Sequence, residues 1–115
     1  MIRYVKDQKI DVKPHLRGGK GNTVFRELLT EDQFCGHGRQ LSILSLEPGE
    51  SIGVHEHNGE SETYFILEGS GLYYDNGTEA AVGVGDCTYC GSGESHGIEN
   101  TGDVRLSFVA MIVYA

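Results

Sequence analysis

Short apolar runs separated by turn residues dominate the pattern along the chain. Residues 41–46 form a clear apolar run that is closed by Glu47-Pro48-Gly49-Glu50, and Asp75-Asn76-Gly77 is typical of a tight hairpin. The pattern predicts strands over 23–29, 41–46, 51–56, 62–68, 71–75, 79–82, 86–89, 96–100 and 105–114. A helix is the alternative over 23–29, where the alternation is weak. Many short strands at regular spacing indicate an all-β sandwich or barrel.

Length and glycine content support one β-rich domain. The chain has 115 residues, which is enough for a single domain with its own core. Its 17 glycines are about twice the usual share and recur between the apolar runs. We expect residues 1–40 to form an N-terminal arm and edge strands, and 41–115 to form the core. The glycine cluster 18–21 in the arm predicts a solvated loop, with a close approach to other backbone as the alternative.

Charge narrows the classes of partner. Nine Lys and Arg against 17 Asp and Glu give a formal net charge of −8. This balance argues against nucleic acid or an anionic membrane as the main partner, because both require a basic surface. No apolar run approaches the length of a membrane span, and the N-terminus lacks the apolar stretch of a signal peptide, so we expect a cytoplasmic protein.

Three cysteines form an odd set that excludes a complete disulfide framework. Cys87 and Cys90 have the spacing of a redox pair, but on a strand residues three apart point to opposite faces. We therefore expect structural, buried cysteines at both positions, and also at Cys35.

Four side chains capable of binding a metal fall in a pattern typical of adjacent strands. His55 and His57 are separated by one residue, and on a strand such a pair points to the same face. Glu62 begins the next predicted strand after a short loop, so an antiparallel return sets its carboxylate beside the two rings. His96 lies far downstream on another predicted strand. Imidazoles with one carboxylate suit Zn, Fe(II), Mn, Ni or Cu(II) and leave coordination positions open.

Two segments resemble the motifs of the cupin family. Residues 49–69, GESIGVHEHNGESETYFILEG, follow the first cupin motif at its fixed positions, which are Gly49, His55, His57, Glu62 and Gly69. Residues 85–100, GDCTYCGSGESHGIEN, follow the second motif at Gly85, Gly93, His96 and Asn100. Gly91 stands where the family usually has proline. The two motifs and their spacer cover nearly half the chain.

The resemblance implies a double-stranded β-helix, a jelly-roll barrel, with a metal near one end. The implied cofactor is a divalent metal ion, Mn, Fe, Zn or Ni, and the implied ligands are His55, His57, Glu62 and His96. Such an ion polarises a carbonyl, activates water or binds O₂. We therefore expect a metal-dependent enzyme acting on a small polar metabolite, a sugar derivative or a keto or enol acid. The reaction would be that of an isomerase, dioxygenase, decarboxylase or lyase.

Two hypotheses stand beside the enzyme. The first is a non-catalytic module of the same fold that binds or stores a small molecule. The second is a purely structural dimer in which the site is vestigial. Bound metal would separate the enzyme and the binding module from the structural dimer. Consumption of the ligand would separate the enzyme from the binding module.

Strand alternation predicts which side chains line the barrel interior. The expected interior set is His55, His57, Glu62, Tyr64, Ile66, His96, Ile98 and Asn100. Leu41 and Ile43 are expected as further pocket walls. Phe65 and Leu67 then point outward, and a strand that is apolar on both faces needs cover on both. In so small a protein this predicts an isologous homodimer, with the N-terminal arm crossing to the partner.

Four further polar residues are assigned from their surroundings. Glu60 lies in the loop at the mouth of the site, where we expect a solvated acid, with a general base as the alternative. Asn100 is expected to hydrogen-bond either a loop or a ligand. His15 and His37 lie beside proline or glycine and are expected to be solvated.

Overall fold

Ten antiparallel strands make up the computed structural model, which describes all of residues 1–115. Their bounds are β1 Ile10–Pro14, β2 Asn22–Leu29, β3 Gly38–Leu46, β4 Ser51–Glu56, β5 Glu60–Glu68, β6 Ser70–Asp75, β7 Thr78–Gly83, β8 Cys87–Cys90, β9 Ser95–Glu99 and β10 Leu106–Tyr114. Three short 3₁₀ turns cover Val5–Asp7, Leu16–Gly18 and Glu31–Phe34. None of the helical segments has the length and apolar character needed to cross a bilayer.

The strands form two sheets that enclose one apolar core. The order is β1-β2-β3-β10-β5-β8 in the six-stranded sheet and β4-β9-β6-β7 in the four-stranded sheet. The C-terminal strand β10 lies between β3 and β5, so distant parts of the chain are neighbours. The buried core consists of Phe25, Leu44, Leu46, Ile52, Tyr64, Ile66, Tyr73, Ile98, Leu106, Phe108 and Ala110. The predicted all-β fold is confirmed.

Every predicted strand is present, and one strand was not predicted. The segment 23–29 is strand β2 and not a helix, and Asn76 and Gly77 have positive φ angles of 49° and 88°, as a tight hairpin requires. Strand β1 was missed although Ile10-Asp11-Val12-Lys13 alternates apolar and polar residues, because the run is short and ends in a proline; it is an exposed strand at the edge of the sheet. It pairs along its whole length with β2. The division into an arm over 1–40 and a core over 41–115 stays a prediction.

Alternation is confirmed on β5 and is wrong on β3. Tyr64 and Ile66 are buried, whereas Phe65 and Leu67 are 44% and 42% exposed. On β3 the buried positions are Ser42, Leu44 and Leu46, so Leu41 and Ile43 face outward and are not pocket walls. The error has a physical cause: both faces of this strand carry apolar residues, and the inner face includes a serine.

The glycine cluster is packed against the barrel and is not a solvated loop. Gly19 is buried, and a Cβ atom there would overlap the carbonyl oxygen of Ser51. A Cβ atom at Gly53 would overlap the carbonyl oxygen of Arg17 in the same way. The Lys20 amide also donates a hydrogen bond of 2.9 Å to the Ser51 hydroxyl. This contact, which we call the Gly19–Gly53 contact, holds the segment before β2 against β4.

We expect Gly19→Ala to destabilise the protein by about 1–3 kcal/mol, because the added methyl group meets rigid backbone. Gly83→Ala is the matched control, since its φ is not positive and its Cβ meets nothing within 4 Å. Urea denaturation measures both free energies of unfolding. Equal stability of the two variants would show that the segment does not need this close contact.

Candidate metal centre

The structure brings the four sequence-predicted ligands together at one end of the barrel. His55 on β4 lies directly opposite His96 on β9 in the strand register, and His57 follows the end of β4. Glu62 reaches the same point from β5 in the other sheet. One donor atom from each of the four residues lies within 4.8 Å of the others. Both sheets therefore contribute to a single cluster of donors that could hold a metal ion.

Hydrogen bonds at Nδ1, the ring nitrogen that points away from the cluster, orient the imidazoles of His55 and His57. Nδ1 of His55 is 2.7 Å from the carbonyl oxygen of Gly53, which can only accept, so this nitrogen carries the proton. Nδ1 of His57 donates in the same way to Oε1 of Glu60, at 3.0 Å. The Nε2 atoms are then left with their lone pairs toward the cluster, which is the tautomer a metal-binding histidine requires.

The other two members of the cluster are also supported from outside. Nδ1 of His96 lies 2.8 Å from the hydroxyl of Tyr73 on β6. The amide of Gln40 on β3 donates to Oε2 of Glu62 at 3.3 Å. Every member of the cluster thus has a partner on its outer side, as is usual around protein metal sites.

The inner atoms are crowded in a way that fits a cation. Nε2 of His57 is 3.1 Å from Nε2 of His96, and both are 3.1 Å from Oε1 of Glu62. Two lone-pair nitrogens and a carboxylate oxygen at this separation repel one another unless a proton or a metal ion lies between them. All three residues are almost completely buried, so water cannot screen the repulsion. The donor set therefore fits a divalent metal.

Electrostatics within the cluster favour an ionised carboxylate. Burial raises the pKa of Glu62, but when a proton lies on Nε2 of His57 or His96, the hydrogen bonds that these rings donate to the carboxylate outweigh burial and hold its pKa at about 2. The hydrogen bond to Glu62 raises the pKa of His57. Burial lowers the pKa of His55, which favours the neutral ring that binds metals.

Glu60 is neither a solvated acid nor a free base, which corrects both sequence expectations. Its two carboxylate oxygens accept hydrogen bonds of 2.7 Å from Nε and Nη2 of Arg39, and Oε1 also accepts from His57. The Arg39 guanidinium is the main reason that the pKa of Glu60 falls to about 2. Glu60 therefore orients a ring of the cluster and is itself oriented by an arginine.

A cavity of about 100 Å³ opens onto the cluster, with His55, His57 and Glu62 in its wall. Its apolar lining consists of Leu16, Phe25, Leu44, Ile52, Tyr64 and Ile112. Tyr64 lines the cavity as predicted; its ring stacks on His96 with centroids 5.0 Å apart, and burial raises its pKa. Lys13, Arg17 and Arg39 supply positive charge, and a second cavity of about 200 Å³ shares Lys13 and Arg39 with the first.

Asn100 holds a loop and does not line the cavity. Its amide nitrogen donates to the carbonyl oxygens of Leu46 and Val104, and its side-chain oxygen accepts from the Gly102 amide. The side chain is fully buried. Of its two expected roles, the structure shows loop binding.

The turn in the second motif supports His57 directly. The backbone amide of His57 donates to the Glu94 carbonyl oxygen at 3.0 Å, and the Gly93 amide donates to the His57 carbonyl oxygen at 2.6 Å. At Gly91, where the family usually has proline, the free amide donates to Oε1 of Glu94 at 2.7 Å. The departure from proline thus adds a hydrogen bond that proline could not make.

The remaining histidines and cysteines lie away from the cluster. His15 and His37 are exposed, as expected. All three cysteines are free: Cys90 is buried as predicted, whereas the expectation of burial is wrong for Cys35 and Cys87, which are exposed. Cys87 faces solvent because exposure alternates along β8, so that Thr88 and Cys90 point inward and Cys87 points outward.

Four functional residues within the first 40 positions were not predicted from the sequence. Arg39 and Gln40 help to orient the cluster, and Lys13 and Arg17 line the cavity. Arg39 and Gln40 extend strand β3 upstream of the predicted start at residue 41, and Gln40 shares the alternation of the buried Ser42 and Leu44. Extending the strand by that alternation would have found Gln40. No pattern in the sequence marks Lys13 or Arg17, because their positions depend on strand β1 and the turn after it.

A barrel of two antiparallel sheets with three imidazoles and one carboxylate at one end is the arrangement that the cupin motifs imply. The family model described as the cupin domain matches residues 42–113. The chain belongs to the cupin family.

Relatives of known sequence or structure agree with this assignment. The chain is 42% identical over 99 residues to an oxalate-binding protein of Thermotoga maritima, covering 86% of this chain and 82% of that protein. It is 30% identical over 108 residues to an uncharacterized protein of Methanocaldococcus jannaschii, covering 94% and 85% of the two chains. A crystal structure of a predicted oxalate decarboxylase from Thermotoga maritima superimposes with a TM-score of 0.96 over 100% of both chains, at 37% identity.

Proposed function

We propose that this protein binds one divalent metal ion through His55, His57, Glu62 and His96, and binds a small dicarboxylate such as oxalate on that ion. The observation that carries the proposal is the convergence of these four donors on one point, where His55, His57 and Glu62 also line a cavity. The name of the Thermotoga maritima relative, an oxalate-binding protein, supports the ligand class.

Donor chemistry and cavity size both agree with a small anion that binds the ion through a carboxylate. Three nitrogens and one oxygen suit Mn, Fe, Zn or Ni and leave positions open for a ligand. When bound, the ion supplies a positive charge that a carboxylate can neutralise. A cavity of about 100 Å³ is far smaller than a site for a drug-sized molecule, so it suits a ligand of a few heavy atoms.

Binding without turnover is the form of the proposal that the side chains favour. Glu62 is the only carboxylate lining the cavity, and in this proposal it is a ligand. Glu60 does not line the cavity, and both of its oxygens already accept hydrogen bonds from Arg39 or His57, so it is a poor acceptor for a substrate proton. A reaction such as decarboxylation needs a proton donor near the reacting carbon, and no carboxylate is free for that task. We therefore prefer the binding module to the enzyme.

Metal content tests the first half of the proposal. We expect one equivalent of Mn²⁺ or Zn²⁺ per chain in equilibrium dialysis with elemental analysis, and its loss in His55→Ala. Glu60→Gln should weaken metal binding by about 10–100-fold, because His57 loses its charged partner. His15→Ala and His37→Ala are matched controls at exposed histidines, and Glu79→Gln is the control at an exposed acid. Equal metal binding by His55→Ala and His15→Ala would contradict the proposal.

Oxalate addition tests the second half. At a concentration about 100 times its Kd, oxalate should stabilise the metal-loaded protein by about 2.7 kcal/mol, seen as a rise in Tm. The metal-free protein should show little of this effect. NMR or enzymatic assay of the mixture should recover the oxalate unchanged after prolonged incubation. Release of CO₂ or formate would replace the binding module by the enzyme.

We also propose that two copies of this chain pair through the outer face of the six-stranded sheet. Ile43, Val109 and Phe65 are neighbours across β3, β10 and β5, and all three point away from the core. Tyr89 and Leu67 extend this apolar face and are 63% and 42% exposed. Copies that each carry a charge of −8 repel one another, so a mainly apolar face without acidic residues beside Phe65 is where they can approach.

Phe65→Asp should convert the dimer into a monomer, because the new carboxylate would be buried without a partner between the six-stranded sheets of the two copies. Sedimentation equilibrium of the full chain measures the mass directly. Val54→Asp is the matched control, since Val54 is 59% exposed on the other sheet. A wild-type chain that sediments as a monomer at high concentration would refute the dimer and leave the metal proposal untouched.

A further inference from the structure

Three cationic side chains line the cavity, and two of them lack an acidic partner. Arg39 forms a bidentate ion pair with Glu60, so its charge is already neutralised. The ion pairs of the structure include neither Lys13 on β1 nor Arg17 in the turn Leu16–Gly18. The Lys13 ammonium lies 4.3 Å from the ring centre of Phe25, which contacts the cation without neutralising it.

Basic residues are concentrated in this cavity, although the chain as a whole is acidic. Only nine of 115 residues are Lys or Arg, and the formal net charge is −8. Three of those nine line this one cavity, whose only acid is Glu62. With Arg39 paired to Glu60, the cations Lys13 and Arg17 still outnumber Glu62, and an excess of positive charge in a cleft of an acidic protein concentrates small anions. The distribution points to a small anionic ligand and disfavours a polyanion, which the rest of the surface would repel.

The backbone of Arg17 is held in a costly conformation. Its φ and ψ are 55° and 32°, in the left-handed region that non-glycine residues rarely adopt. Gly53 makes this conformation tolerable from the other side, because its missing side chain leaves room for the Arg17 carbonyl oxygen. Strained backbone of this kind persists where the surrounding structure enforces it, and it concentrates at ligand sites. The Gly19–Gly53 contact therefore places Arg17 at the cavity.

We propose that Lys13 and Arg17 recognise the second carboxylate of a small dicarboxylate whose first carboxylate binds the metal. This inference rests on the proposed function and adds the source of selectivity. The four metal ligands treat monocarboxylates and dicarboxylates alike at the first carboxylate. Lys13 and Arg17 raise the affinity only of a ligand that carries a second negative charge.

The matching experiment compares two anions on the Mn²⁺-loaded protein. Isothermal titration calorimetry with oxalate and with formate gives the ratio of their affinities. Arg17→Gln and Lys13→Gln should each lower oxalate affinity by about tenfold or more, the scale of one hydrogen bond to a charged group. Formate affinity and Mn²⁺ affinity, the latter measured by chelator competition, should stay near their wild-type values. Arg17→Lys should retain part of the oxalate preference because it keeps the charge.

Arg105→Gln and Lys6→Gln are the matched controls, since both remove a surface cation remote from the cavity lining. Tm values of all variants separate loss of folding from loss of recognition. An unchanged ratio of oxalate to formate affinity in folded Arg17→Gln and Lys13→Gln would overturn the inference while leaving metal and oxalate binding intact. Failure of the wild-type chain to take up Mn²⁺ or Zn²⁺ would instead overturn the proposed function, and the two results are distinguishable in the first titration.

Discussion

Mutual repulsion among the donor atoms of His55, His57, Glu62 and His96 is the constraint on which the rest of this structure depends. A protein that buries His57, His96 and Glu62 beside the half-buried His55 must hold them there against their own electrostatics. The support comes from all around the cluster. Pairing of β4 with β9 fixes two rings, and the turn that ends in Glu94 holds the backbone of a third on both sides.

The outer hydrogen bonds connect that constraint to the walls of the cavity. Gln40 contacts Glu62 directly, and Arg39 holds Glu60, which in turn holds His57, so strand β3 supports the cluster in two ways. Because β3 also pairs with β2 and β10, the support is part of the sheet and not of a loop. Side chains anchored on strands keep their geometry better than side chains on loops, which favours a preformed site.

Local patterns in the sequence predicted the strands and the cluster, and their failures share one physical origin. Residue spacing alone placed His55, His57 and Glu62 together, because a strand and a short return leave few alternatives. The sequence does not show which face of β3 points inward, because Leu41 and Leu44 lie on opposite faces and both are apolar. Only the tertiary structure decides which of them is buried. Strand β1 and the packed glycine segment depend on contacts with β2 and β4, and no local periodicity encodes such contacts.

The cationic residues that line the cavity come from a different part of the chain than the four donor residues of the cluster. Lys13, Arg17 and Arg39 all precede the segment 42–113 that matches the family, whereas the four donors lie within it. On the proposed function, mutations at Lys13 or Arg17 would alter which anion is preferred, while the four donors and the residues that orient them stay in place. A barrel organised in this way can diversify its choice of small molecule through its leading segment alone, with the inorganic chemistry inherited unchanged.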